Sequence, residues 1–138
     1  MWNPFSRKQK RFDQVADEQE APEWNPKLYV VTRKDLPPGA QACQAIHAVC
    51  EFAAKHPEAY QKWYKDSNYL AFLSVKDTWA LNKYVMRAAC DNILCAEFRE
   101  PDLGYALTAI VLDATEDARE LLKNEHSALK QNCFGQAK

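Results

Sequence analysis

Gln44 and His47 stand three residues apart in Ala42-Cys43-Gln44-Ala45-Ile46-His47-Ala48. On a helix that spacing puts an amide and an imidazole on one face, distinct from the face of Ile46. Histidine can donate or accept a proton near neutral pH, so the pair could serve acid–base chemistry. Both follow Asp35 and a Pro-Pro-Gly loop, Pro37 to Gly39. A helix that opens after a strand is where α/β folds commonly bind anions. The plain alternative is a helix-surface histidine making one structural hydrogen bond.

A second polar cluster runs from Arg99 to Thr108, with Glu100, Asp102, Gly104 and Tyr105 between two apolar runs. Gly104 permits a tight turn, and Thr108 opens the following strand. An ordinary strand connection with solvated charges would look the same.

Other chemistries are excluded by what the chain lacks. Its three glycines, at 39, 104 and 135, form no phosphate-cradling loop. There is no G-x-S-x-G elbow and no H-E-x-x-H. The histidines at 47, 56 and 126 are not spaced as metal ligands. Five cysteines, at 43, 50, 90, 95 and 133, include no C-x-x-C pair. Cys43 and Cys50 are a heptad apart and fit two core positions. The expectation is buried free thiols in a reducing cytoplasm, with no disulfide framework and no zinc.

The elements that must position these residues are legible as pattern. Leu28 to Thr32 is a β-branched and aromatic run, hence a buried strand. Ala42, Cys43, Ile46, Val49, Cys50 and Ala53 recur at three and four, predicting a helix over about 39–55 with those residues inward. Pro57 ends it, and 58–65 reads as a short helix carrying Tyr60, Trp63 and Tyr64. These aromatics predict core packing, with a homodimer contact as the alternative. Residues 69–75 form the second strand, and Asp77 caps a helix through Leu81, Val85 and Ala88. Residues 93–98 and 107–112 are the third and fourth strands, either a hairpin or apart in the sheet. Thr115 caps a last helix to about Lys130. The predicted fold is α/β: a three-layer α/β/α sandwich with a four-stranded mixed sheet, in the order β-α-α-β-α-β-β-α.

Residues 1–26 differ from the rest. Arg7, Lys8, Lys10 and Arg11 precede an acidic stretch, and the apolar Trp2, Phe5, Phe12, Val15 and Trp24 are scattered. This reads as a mobile arm or one loosely docked helix with its own, unidentified partner, ahead of a domain over 27–132 and a tail over 133–138. The 138 residues carry 18 Lys plus Arg against 19 Asp plus Glu, a net charge of −1. That balance excludes a histone-like coat but not a local basic patch. No apolar run approaches the roughly 18 to 20 residues of a membrane span, so no membrane contact is expected. The charged N-terminus lacks the apolar segment of a signal peptide.

Val30-Val31-Thr32-Arg33-Lys34-Asp35-Leu36, then Gly39, then Ala42 to Ala48, resembles the signature of the type-2 peptidyl-tRNA hydrolases. The resemblance covers roughly residues 27–122, including the element order. It implies hydrolysis of the ester joining a peptide to the 3′ ribose of tRNA, with no metal and no cofactor. The family's site positions fall on Gln44, His47, Asp102 and Thr108, and Asp35 matches the Asp of its first loop. Its helix-start Lys falls on Ala40, and its loop between Asp and Thr is longer than the stretch from Asp102 to Thr108. Asp102 or His47 would orient the attacking water, and Thr108 with Gln44 would support the carbonyl or oxyanion. Arg33, Lys34 or Arg99 would supply positive charge to tRNA phosphate. The competing expectation is a non-catalytic RNA- or protein-binding module on the same fold. A third places the function in the N-terminal arm.

Overall fold

The computed structural model describes residues 25–130. The expected arm, but for its last two residues, and the tail lie outside the described residues. Strand β1 (Lys27–Arg33) is buried from Leu28 to Thr32. Helix α1 (Pro38–Lys55) opens on a proline, whose fixed φ suits the first helical turn. Helix α2 (Pro57–Asp66) follows after a single residue, His56. Strand β2 is Tyr69–Val75. Asp77 then accepts from the Ala80 N–H at 3.0 Å and caps α3 (Thr78–Cys90). Strands β3 (Cys95–Glu100) and β4 (Ala106–Leu112) are joined by a 3₁₀ turn over Pro101–Leu103. Gly104 closes that turn at φ +63°, a left-handed conformation that glycine adopts without steric cost. Thr115 caps α4 (Glu116–Leu122), and β5 (His126–Ser127) is the last element described.

The fold is mixed α/β with one sheet in the order β3-β4-β1-β2-β5. β1 and β2 run parallel from Lys27↔Tyr69 to Arg33↔Val75. β3 and β4 are an antiparallel hairpin, which settles their placement. The sheet has five strands rather than the expected four. The last helix stops at Leu122 instead of about Lys130, and the chain turns back so that His126 and Ser127 pair with Ser74 and Leu73. Without β5 that part of β2 would be an open edge, with unpaired backbone groups.

Side chains alternate between two apolar clusters, as the period of two requires. Tyr29, Val31, Ile110 and Leu112 pack with Leu81, Tyr84 and Ala88 of α3 and Leu122 of α4. Leu28, Val30, Ala96, Ala109 and Val111 pack with Ala45, Ala48 and Phe52 of α1 and Trp63 of α2. Of the three α2 aromatics, Trp63 is core, Tyr60 is half-buried and Tyr64 is exposed.

The buried face of α1 is not the expected one. Gln41, Gln44, Ala45, Ala48 and Phe52 face inward, and Ile46 is 64% exposed. Two alanines let the helix lie close to the sheet, where Gln44 finds polar partners, whereas Gln41 bonds back to the loop before the helix and its buried Oε1 has none among the described residues. Gln41 Nε2 donates to the Leu36 carbonyl at 2.6 Å. The expectation of buried thiols is also overturned, for Cys43 and Cys50 by the same rotation and for Cys90 by its place at the exposed end of α3. Cys43, Cys50 and Cys90 are exposed, Cys95 is half-buried, and Cys133 lies outside the described residues.

Candidate functional site

Six residues of β4, Ala106, Leu107 and Ala109 to Leu112, face the six of β3. Arg99 pairs with Leu107 and Phe98 with Ala109, so Thr108 has no register partner. It is the extra residue of a β-bulge. A bulge interrupts alternation and re-aims a side chain. Leu107 therefore packs on the α3 side, and Ala109 on the α1 side. Thr108, fully buried between them, turns towards α1.

Its hydroxyl donates to Gln44 Oε1 at 2.5 Å and lies 3.3 Å from the Phe98 carbonyl. Gln44 Nε2 in turn donates to Glu100 Oε2 at 2.9 Å. The second Glu100 oxygen, Oε1, accepts from the Asp102 backbone N–H at 3.2 Å. This chain fixes the orientation of the Gln44 amide, oxygen to threonine and nitrogen to carboxylate. The Gln44 hydrogen bond, helped by the Asp102 N–H and the charge of His47, holds the Glu100 carboxyl below the usual carboxylate range. The His47 ring stacks on Phe98, with centroids 4.4 Å apart and planes 9° from parallel. Ala96, Phe98 and Glu100 alternate onto one face of β3, beneath the Gln44 and His47 side of α1.

Side chains also take the carbonyls around the bulge, as buried backbone groups require. Thr32 Oγ1 donates to the Thr108 carbonyl at 3.1 Å. The Leu107 carbonyl accepts from Thr78 Oγ1 at 2.8 Å and from Arg33 Nη1 at 3.3 Å. Arg33 also grips Asp35 with two parallel bonds, each 2.9 Å. That bidentate contact raises the Arg33 pKa and lowers that of Asp35.

The structure thus gathers Gln44, His47 and Thr108 around Glu100, and ties Arg33 and Asp35 to the neighbouring residue of β4. It does not bring in the Asp102 side chain. Asp102 sits exposed on the hairpin tip, and only its backbone N–H joins the network. Lys34 is exposed, with its N–H on the Val75 carbonyl. Arg99 is turned away from Glu100, onto Glu97 at 3.1 Å and the Tyr105 carbonyl at 3.5 Å. Glu100 is the acidic residue the sequence reading passed over, together with Phe98 and Thr32. The alternation of Ala96, Phe98 and Glu100 was visible in the sequence; the bulge that turns Thr108 to meet them was not.

No family model matches the chain, and no curated protein matches it. Among the described residues no helix is long and apolar enough to cross a membrane, and no group of three or more His, Cys, Asp or Glu is placed to hold a metal ion.

Proposed function

We propose that this chain hydrolyses the ester of peptidyl-tRNA, or a related acyl-tRNA ester, on a three-layer α/β/α domain. The observation that carries the reading is the relay from Thr108 through Gln44 to Glu100, beside His47. Ester hydrolysis needs a held water and donors for the tetrahedral oxyanion. Glu100 stays ionised at neutral pH and has lone pairs left to hold that water. Gln44 keeps one N–H beyond its bond to Glu100, available to the carbonyl oxygen. Exposed His47 can protonate the departing ribose oxygen. Thr108, being buried, acts as a positioning residue for Gln44. A carboxylate with a lowered pKa is a weak general base, so turnover should be slow.

The test is release of N-acetyl-aminoacyl groups from charged tRNA. Glu100→Gln should lose about 10²-fold or more, His47→Ala should also lose turnover, and Asp102→Asn should stay near the unsubstituted protein. No release above blank by the unsubstituted chain refutes the reading.

A second reading is a non-catalytic RNA- or protein-binding module on the same fold, and within it one observation favours a protein partner. Arg33 is neutralised by Asp35 and Arg99 by Glu97, which leaves neither guanidinium free for phosphate. Salt-sensitive retention of tRNA without release would support an RNA module.

A further inference from the structure

β1 and β2 are parallel neighbours, in register to their last residues, Arg33 and Val75. The Lys34 N–H still bonds to the Val75 carbonyl at 2.9 Å. Lys34 and Lys76, each the next residue, therefore leave the sheet side by side, and both are exposed. They stand at the carboxyl ends of the two strands, where α/β folds bind ligands. In the first turn of α3, Trp79 is 73% exposed, and exposed Lys83 lies one turn further on the same face. Among the described residues none of these three lysines has a carboxylate partner. The adjacent acids are already engaged, Asp35 by Arg33 and Asp77 by the Ala80 N–H. With Arg33 and Arg99 both neutralised, the unpaired positive charge at this end of the sheet is carried by lysine. The surface adjoins the Gln44–Glu100 network. Thr78, at the start of α3, and Arg33 both donate to the carbonyl of Leu107, the residue before Thr108.

We infer that Lys34, Lys76, Trp79 and Lys83 form a platform for single-stranded nucleic acid, with a base stacked on the indole and the flanking phosphates on the ammonium groups. Every base has a π-face, so an exposed aromatic ring among cations holds single strands with little regard to sequence. A duplex keeps its bases stacked and paired, and presents its backbone to such a surface. An apolar protein partner is served less well. Lys83 stands between Trp79 and Met86 on that face of α3, so the two exposed apolar side chains form no continuous stripe. That the bound strand is the 3′ end of peptidyl-tRNA rests on the hydrolase reading; the platform itself does not.

The experiment measures binding of a short fluorescein-labelled oligoadenylate, which carries no ester, to the whole chain by anisotropy over a range of salt. A duplex of the same length is run beside it. Trp79→Ala should weaken the single strand about tenfold, leave its salt slope unchanged and leave duplex binding as it was. Trp79→Phe, which keeps a ring, should restore most of the loss. Lys34→Ala combined with Lys76→Ala should lower the slope of log K against log salt by about 1.4. Failure of the single strand to bind overturns the inference. So does a Trp79→Ala variant that binds it as tightly as the unsubstituted chain, which would leave the indole to a protein partner, and so does a salt slope unmoved by the paired lysine substitution. The hydrolase reading fails separately. Oligoadenylate bound through Trp79, with no release from charged tRNA, refutes the hydrolase and supports the platform. Release whose KM is unmoved by Trp79→Ala supports the hydrolase and overturns the platform.

Discussion

The Thr108 hydroxyl and the Gln44 side-chain oxygen meet at 2.5 Å, across 64 residues of sequence and inside the buried seam between α1 and β4. Both side chains are more than nine-tenths buried. The bond therefore carries consequences for stability as well as for chemistry.

Thr108→Val keeps the shape and removes the donor. It leaves the Gln44 oxygen buried without its partner, at a cost of about 1–3 kcal/mol. Thr108→Ser retains the hydroxyl and should cost less. Urea midpoints of the two variants measure the difference. Equal midpoints for Val and the unsubstituted protein would show that the bond contributes nothing.

Acid should act through Glu100 and Asp35. Both have folded pKa values below the unfolded carboxylate range. Their contribution is fully present above the unfolded value, about 4, and is lost as pH falls through the folded one. Stability should drop below about pH 4, and Glu100→Gln should flatten that drop. Thermal midpoints from pH 7 to pH 3 provide the check; an unchanged slope in Glu100→Gln would remove Glu100 from the account.

The rotated face of α1 predicts an inversion of ordinary expectations. Ile46→Lys replaces a large apolar residue by a charge, yet should shift stability by no more than about 0.5 kcal/mol. Ala48→Leu adds apolar bulk at a fully buried position and should cost about 1–3 kcal/mol by overpacking. Denaturation of the two variants side by side decides the matter.

Thiol reactivity should divide the cysteines. Burial, with the Glu97 charge nearby, pushes the Cys95 thiol up to about 12. Cys43, Cys50 and Cys90 are exposed. Iodoacetamide at pH 8, read by peptide mass mapping, should modify those three first and Cys95 only on unfolding. Rapid labelling of Cys95 in the native protein would contradict its burial.

How much of this was legible in the sequence depends on which physical signal is local. Capping by Asp77 and Thr115 and the apolar run of β1 are written in a few neighbouring residues, and those elements begin where the pattern put them. The face of α1 is not local. A hydrophobic stripe through Cys43, Ile46 and Cys50 competes with a stripe of Gln44, Ala45, Ala48 and Phe52, one position round the helix. What selects the second is the sheet it must lie against, with Thr108 and Glu100 there to receive a glutamine. β5 is likewise invisible, because two residues carry no period of their own and pair only because the edge of β2 is there. For the candidate site, Gln44 and His47 were readable as types and spacing, and Thr108 as what the family resemblance implies. The choice of Glu100 over Asp102 was not, since both belong to one polar stretch and only the alternation of β3 separates them.

In the language of crystals, Thr108 is a dislocation. Delete it, and Leu107 and Ala109 would still face opposite sides of the sheet, now in unbroken phase, with the β3–β4 ladder continuous from Cys95 to Glu100. The strands would lose little. The polar seam would lose the side chain on which its glutamine rests, so the feature that makes this sheet imperfect as a lattice is also the one that gives Gln44 a fixed bearing. A length change of one residue at this point is therefore more consequential than most substitutions around it.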